Sequence, residues 1–208
     1  MQNCFHFLQR ITVILSPSDF LSFTSLAGLF GVLEYNPIGK PIQFAYEGHT
    51  LLKTASWVPF LFGFAGFLMS AIILTLDSTL KTKDDIRSPS WPKVLYGISL
   101  FSGQYYLSGL LDNSLVNSSQ IDGILKAIAV IGFLSLDRSR AGFALAVATA
   151  VGGPLAEIFL INIPNLYNYV HPDVLGIPIW IGWVYFLGAP AVGNLARRLL
   201  LDKLVMEE

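Results

Sequence analysis

Charge, cysteine and histidine are all scarce in this chain. The single cysteine, Cys4, excludes an internal disulfide and any thiolate metal cluster. The three histidines, His6, His49 and His171, stand far apart without the spacing of metal ligands. No HExxH, GxSxG or glycine-rich phosphate loop occurs. Charged residues make up 13% of the 208 positions, against about 25% in an ordinary soluble domain. A soluble core so poor in charge would expose large apolar patches. The formal net charge of −1 argues against nucleic acid as a partner. What is present in quantity is apolar: 53% of residues are hydrophobic, and the mean hydropathy is +0.59. That content excludes disorder. Six membrane spans need roughly 120 residues, which leaves a little over a third of the chain for loops and tails. The composition describes a small all-α polytopic membrane bundle with no room for a soluble domain.

Five spans can be read from the apolar runs, of which the third holds Asp122 and Lys126 near its start and the fourth holds Glu157. They are Thr54 to Leu76, the stretch between Lys93 and Asp112, Ile121 to Leu136, Ala141 to Ile161, and Leu175 to Ala196. The segment 11–33 is also long enough, but Pro17, Asp19 and several serines interrupt it. It is read as a span, an interfacial helix or a re-entrant piece. No ordered signal-peptide pattern is seen at the N-terminus. Lysine and arginine alternate between loops: 77–93, 137–140 and the C-terminal tail carry them, while 112–120 and 162–174 do not. The positive-inside rule puts the basic loops and, with six spans, both termini on the cytoplasmic side. The 34–53 loop, with Lys40 and Lys53, is a mild dissent. The chain thus divides into an N-terminal segment (1–49), a transmembrane bundle (50–200) and a cytoplasmic tail (201–208).

Inside the spans no catalytic constellation forms: no span contains a histidine, and Asp77, Asp112 and Asp137 fall at span ends as apparent interface markers. The expectation is therefore no enzyme, no metal and no cofactor. Glu157 is the main candidate within the bilayer, since a carboxylate at depth is costly and by default functional. It follows Gly152-Gly153-Pro154, where a helix bends and exposes carbonyls. Two readings stand: a group that binds a ligand hydroxyl, carries a proton or sits neutral and hydrogen-bonded, and a hydrated carboxylate close to the outer interface. Asp122 and Lys126 lie one helical turn apart and can pair locally or snorkel. Trp57, Trp180, Trp183, Tyr167 and Tyr169 read as an aromatic belt. Gly152, Gly153, Gly188, Ala189, Ala191 and Gly193 read as close-packing positions. Asn117-Ser118-Ser119 is a glycosylation sequon, though its loop is short enough to hold it near the membrane.

Five motifs then occur in order. They are Ser56-Trp57-Val58-Pro59 leading to Leu76-Asp77, Phe101-x-Gly103, Leu136-Asp137-Arg138-Ser139-Arg140-Ala141-Gly142, Pro172-Asp173, and Val192-Gly193-Asn194 with Arg197. Together they resemble the insulin-induced gene (Insig) family of sterol-sensing membrane proteins, from about residue 50 to 200. The resemblance implies a six-span protein that binds an oxysterol or another membrane lipid within its helices. It further implies ligand-dependent retention of membrane proteins with sterol-sensing domains, namely the SREBP escort protein and HMG-CoA reductase. Endoplasmic reticulum is the implied location in a eukaryote; a bacterial or plastid homologue would sit in the plasma or thylakoid membrane. On the same resemblance Gln120, seventeen residues before Asp137, and Phe101 match ligand-pocket positions. Glu157 takes the place of a family glutamine, and Asp137 matches an aspartate needed for the escort interaction. A local pair with Arg140, capping the helix, is the alternative role for Asp137. The departures are Phe133-Leu134 in place of paired tryptophans, Ile124 in place of a threonine, Lys126 without a counterpart, and no match to the family's first span in 1–49. A homo-oligomer is compatible with this reading. The alternatives in other classes are a small transporter or channel, with Glu157 and Lys126 on a polar path, and an assembly scaffold whose bound lipid is structural.

Overall fold

A computed structural model describes residues 33–35, 41–46, 49–55 and 57–206. Among them the chain forms β1 (Leu33–Tyr35), β2 (Pro41–Tyr46), β3 (His49–Ala55), α1 (Val58–Thr79), the single-turn α2 (Asp84–Arg87), α3 (Trp91–Asp112), α4 (Ser118–Leu136), α5 (Arg140–Asn162), β4 (Tyr167–Tyr169) and α6 (Ile181–Met206). The all-α reading holds for the bundle. The predicted first span, 11–33, lies outside the described residues except for Leu33, which opens β1. The 34–53 loop instead contains strands. β2 and β3 form an antiparallel hairpin, irregular between Phe44 and Ala45. β1 pairs antiparallel with β4, Leu33 opposite Tyr169 and Tyr35 opposite Tyr167.

Two predicted spans are shifted, each for a local reason. The first was expected from Thr54, but β3 runs to Ala55 and α1 begins at Val58. Pro59 sits in the first turn, where its missing N–H costs nothing. The last was expected over Leu175 to Ala196. Leu175 (φ 51°) and Gly176 (φ +87°) make a turn instead, and α6 starts after Pro178 and runs through both arginines to Met206.

Phe60–Thr79, Ser118–Leu136 and Arg140–Asn162 are long and apolar enough to cross a membrane. α3 and α6 are of similar length but carry polar residues on their buried faces: Gln104, Ser108 and Asp112 on α3, Asn194 and Arg197 on α6. α6 is the centre of the bundle, with α1, α3, α4 and α5 all packed on it. Its small residues allow that approach: Gly188 faces the Phe101 ring and Gly193 faces Ile73. The ends of the helices that carry the basic residues converge at one end of the bundle, hereafter the basic end; β1 and β4 lie at the opposite end.

Capping fixes the helix starts. Asn117, the sequon asparagine, caps α4 by accepting from the Gln120 N–H at 2.9 Å. Ser139 caps α5 by accepting from the Gly142 N–H at 2.8 Å. Replacing Ser139 with alanine should cost about 1 kcal/mol, read as a modest fall in the melting temperature of detergent-solubilised protein.

Candidate functional site

Helices α1 and α5 do not close against each other toward the end opposite the basic one. Between them lies a cavity of about 390 Å³. One wall is α1, through Leu61, Phe64, Ala65 and Leu68; the other is α5, through Thr149, Gly152, Gly153 and Ala156. Gly152, predicted to serve packing, has nothing within 4 Å of where a Cβ would be and lines the cavity instead. Aromatic rings cover one end: Trp57 stacks on Tyr167 at 5.8 Å, and Tyr167 meets Tyr169 edge-on at 6.1 Å. These rings correct the aromatic-belt expectation. Tyr167, Tyr169 and Trp180 are buried within the protein rather than spread at a lipid interface.

Glu157 supplies the carboxylate among these apolar walls. It lies five residues before the end of α5 and is buried. Both of its oxygens accept hydrogen bonds: Tyr169 Oη donates to Oε2 at 2.6 Å and Tyr185 Oη donates to Oε1 at 2.5 Å. The hydrated-carboxylate reading is set aside by this geometry. Burial, and then the neighbouring Glu157 charge, push the Tyr169 hydroxyl well above its ordinary range, so it stays protonated and donates. The Tyr185 ring reaches Glu157 by lying directly over Gly153, where any Cβ would overlap it. Thr149 ties α5 to α6 by donating to the Tyr185 carbonyl at 3.1 Å.

The other predicted pocket residues lie elsewhere. Gln120 is exposed in the first turn of α4. Phe101 is half-buried against Gly188 and one step from the cavity, its ring 6.2 Å from that of Tyr105, which does line it. Among the described side chains the buried glutamine is Gln104, whose Nε2 donates to the Leu125 carbonyl at 2.9 Å while its Oε1 has no partner. No sequence signal distinguishes Tyr169 and Tyr185 as donors to Glu157, since they lie twelve and twenty-eight residues away.

At the basic end Asp137 meets a second polar cluster. Arg197 of α6 donates to both oxygens of Asp77 at the end of α1, Nε to Oδ2 at 2.7 Å and Nη2 to Oδ1 at 2.8 Å. Its Nη1 donates to Asp137 Oδ2 at 2.8 Å. All three side chains are buried. Asp137 also accepts from the Ser139 N–H at 2.9 Å, closing an Asx turn around Arg138, whose φ is +65°. Asn194 adds a bond to the Leu136 carbonyl at 3.1 Å. Gly142 packs so closely on the Asp137 carboxylate that a Cβ there would collide with it. Asp77 and Asp137 are thus buried ion-pair members, not interface markers. The local reading of Asp137 is also corrected: its partner is Arg197 rather than Arg140, and the cap of α5 is Ser139. Asp112, the third such residue, is buried beside His171, Oδ2 to Nδ1 3.3 Å. Among the described residues no group of three His, Cys, Asp or Glu side chains is placed to hold a metal ion.

Comparison with known proteins finds relatives over most of the chain. It is 31% identical over 153 residues to the insulin-induced gene 1 protein of Danio rerio, an alignment covering 73% of this chain and 59% of that protein. It is 30% identical over 152 residues to the human insulin-induced gene 1 protein, covering 73% of this chain and 53% of that one. The chain therefore spans little more than half the length of these curated relatives. No protein-family model matches the sequence. Among solved structures, a mycobacterial Insig homologue from Mycobacterium vanbaalenii superposes with a TM-score of 0.69 at 19% identity, covering 88% of this chain and 93% of that one. A cross-linked trimer of the same mycobacterial protein superposes equally well.

Proposed function

Since the chain belongs, over the region that aligns, to the insulin-induced gene family, we propose that it is a non-catalytic, lipid-responsive membrane regulator. It is an integral multi-pass membrane protein of a regulator family. The observation that carries the finer reading is the α1–α5 cavity, apolar along its walls and ending in one carboxylate held by two tyrosine hydroxyls. Its volume falls in the range of small-molecule pockets, about 300–1,000 Å³. The ligand that suits it has a rigid or long apolar body and a hydroxyl, as a hydroxysterol or a diacylglycerol has. Burying the body contributes little relative to lipid. Selection therefore falls to the hydroxyl, which joins the Glu157, Tyr169 and Tyr185 network, and to the shape set by Gly152 and Gly153.

A regulator also needs two states with different affinity for the ligand. Arg197 provides the connection, because it holds the end of α1 through Asp77 and the α4–α5 turn through Asp137. A change in the α1–α5 spacing is felt at that turn, whose outward side chains are Arg138 and Arg140. In this reading Asp137 shapes the partner-binding turn and does not itself touch the partner. The partners are membrane proteins with sterol-sensing domains, or further copies of this chain, as in the cross-linked mycobacterial trimer.

The test is Glu157→Gln, assayed by binding of a labelled hydroxysterol and of a labelled diacylglycerol. Losing a charge-assisted hydrogen bond should weaken the preferred ligand about tenfold. Unchanged affinity for both removes Glu157 from the site and the reading with it.

A further inference from the structure

The opposite flank of α5 holds a second feature, which the Glu157 cavity does not use. Lys126 lies two turns inside α4 and its side chain is half-exposed. A lysine at that depth in a membrane helix is costly unless its ammonium finds a partner or reaches the interface. Its Nζ lies 3.5 Å from Asp122 Oδ2, one turn closer to the helix start, and 5.1 Å from the centre of the Trp183 ring. The Trp183 indole N–H in turn donates to Asp122 Oδ1 at 2.8 Å. The expected local Asp122–Lys126 pair is present, and α6 builds it into a three-residue cluster.

Toward the basic end from this cluster, α4 and α5 leave a cleft between them. α4 and α5 are joined by a short turn, yet both pack on α6 rather than along each other. Phe186 of α6 meets Phe133 of α4 at 5.7 Å and Phe143 of α5 at 6.4 Å, closing the cleft at its lower end. Val130 and Leu134 continue the Lys126 face of α4 at four-residue steps and are exposed. Val147 and Val151 do the same from Phe143 on α5. Beside the upper end, between α5, the 174–179 turn and the start of α6, lies a cavity of about 250 Å³ lined by Ala150, Pro154, Ile158, Ile177 and Gly182, with no residue of α4. Charge at the top and exposed apolar stripes below match the outline of a membrane lipid with its headgroup at the end opposite the basic one.

The geometry points to a glycerophospholipid site in the α4–α5 cleft, with a zwitterionic headgroup whose phosphate meets Lys126 and whose ammonium meets Asp122. The two protein charges cancel, so a net anionic headgroup gains at Lys126 and is repelled by Asp122. A zwitterion satisfies both. The indole N–H is committed to Asp122, which keeps the carboxylate turned toward its neighbour. α5 offers this flank Ala150 and Pro154 and offers the Glu157 cavity Thr149, Gly152 and Gly153, so the two sites are separate.

Native mass spectrometry of the full chain, given equal phosphatidylethanolamine and phosphatidylglycerol, tests this, with inorganic phosphate as a control. The protein should hold phosphatidylethanolamine in preference to phosphatidylglycerol and should not hold phosphate alone. Lys126→Met keeps the apolar stem over Trp183 and should lower that retention about tenfold. Lys126→Gln reads the same loss should the methionine variant fail to fold. Glu157→Gln should leave the adduct in place, which separates this site from the proposed ligand cavity. Equal retention by the Lys126 variants, tighter binding of phosphatidylglycerol or of phosphate, or loss of the adduct on Glu157→Gln would each overturn the assignment.

Discussion

Arg197→Met should destabilise the protein by about 3–5 kcal/mol, the usual cost of leaving buried charge without its partner. The substitution keeps most of the side-chain volume in α6 but removes the cation between Asp77 and Asp137, both of which are buried. Three charge-assisted bonds are lost together, two of them the paired contacts to Asp77. Thermal unfolding of detergent-solubilised protein, followed by tryptophan fluorescence, would show a large fall in melting temperature. The triple variant Asp77→Asn, Asp137→Asn, Arg197→Met should recover much of it, because no buried charge is then left unpaired. A single variant that melts with the wild type would show that water reaches the cluster and that its charges are screened.

On the proposed function, Gly153→Leu should remove binding of the labelled hydroxysterol or diacylglycerol more completely than any change to Glu157. A Cβ at this position overlaps the Tyr185 ring, so the ring must leave and its hydroxyl must leave Glu157 with it. The rest of the leucine side chain then competes with the ligand for the cavity. Overpacking of this kind costs about 1–3 kcal/mol, and because the ligand must displace the leucine to bind, this corresponds to roughly 5–150-fold in affinity before the lost hydrogen bond is counted. Equilibrium binding of the labelled ligand reads the effect. Gly152→Ala is the control for folding, since no neighbour lies within 4 Å of its Cβ direction. Should Gly153→Leu bind ligand as the wild type does, the ligand occupies some other part of the bundle.

The helices were legible in the sequence because charge-poor apolar runs bounded by Lys, Arg and Asp obey one constraint, the cost of burying charge in lipid. That same rule misplaced the last helix. It reads Arg197 as a boundary, whereas a charge neutralised within the bundle does not end a helix, and α6 continues to Met206. Asp77 and Asp137 were misread as interface markers for the same reason. They lie 120 and 60 residues from Arg197, and no periodicity announces a pairing at that separation. Glu157 was recognisable alone, because a lone carboxylate inside an apolar run is conspicuous. Its tyrosine partners were not, since a tyrosine near a span end has a commoner explanation at the membrane surface. The β1–β4 pairing was hidden by its brevity: three residues at each strand leave no alternation to read.

The central position of α6 also has a consequence for biosynthesis. α6 follows α1, α3, α4 and α5 in the chain, so these helices leave the ribosome before the element on which they pack exists. Until it arrives, Asp77 and Asp137 wait without their arginine, and the polar face of α3 is without its neighbour. Chains are made at about 5–20 residues per second, so the interval from the end of α1 to Arg197 is on the order of ten seconds. During that time only the α3–α4 and α1–α5 pairs have their helical neighbours. The bundle is completed in a late step, when the last helix enters and the arginine closes on both aspartates.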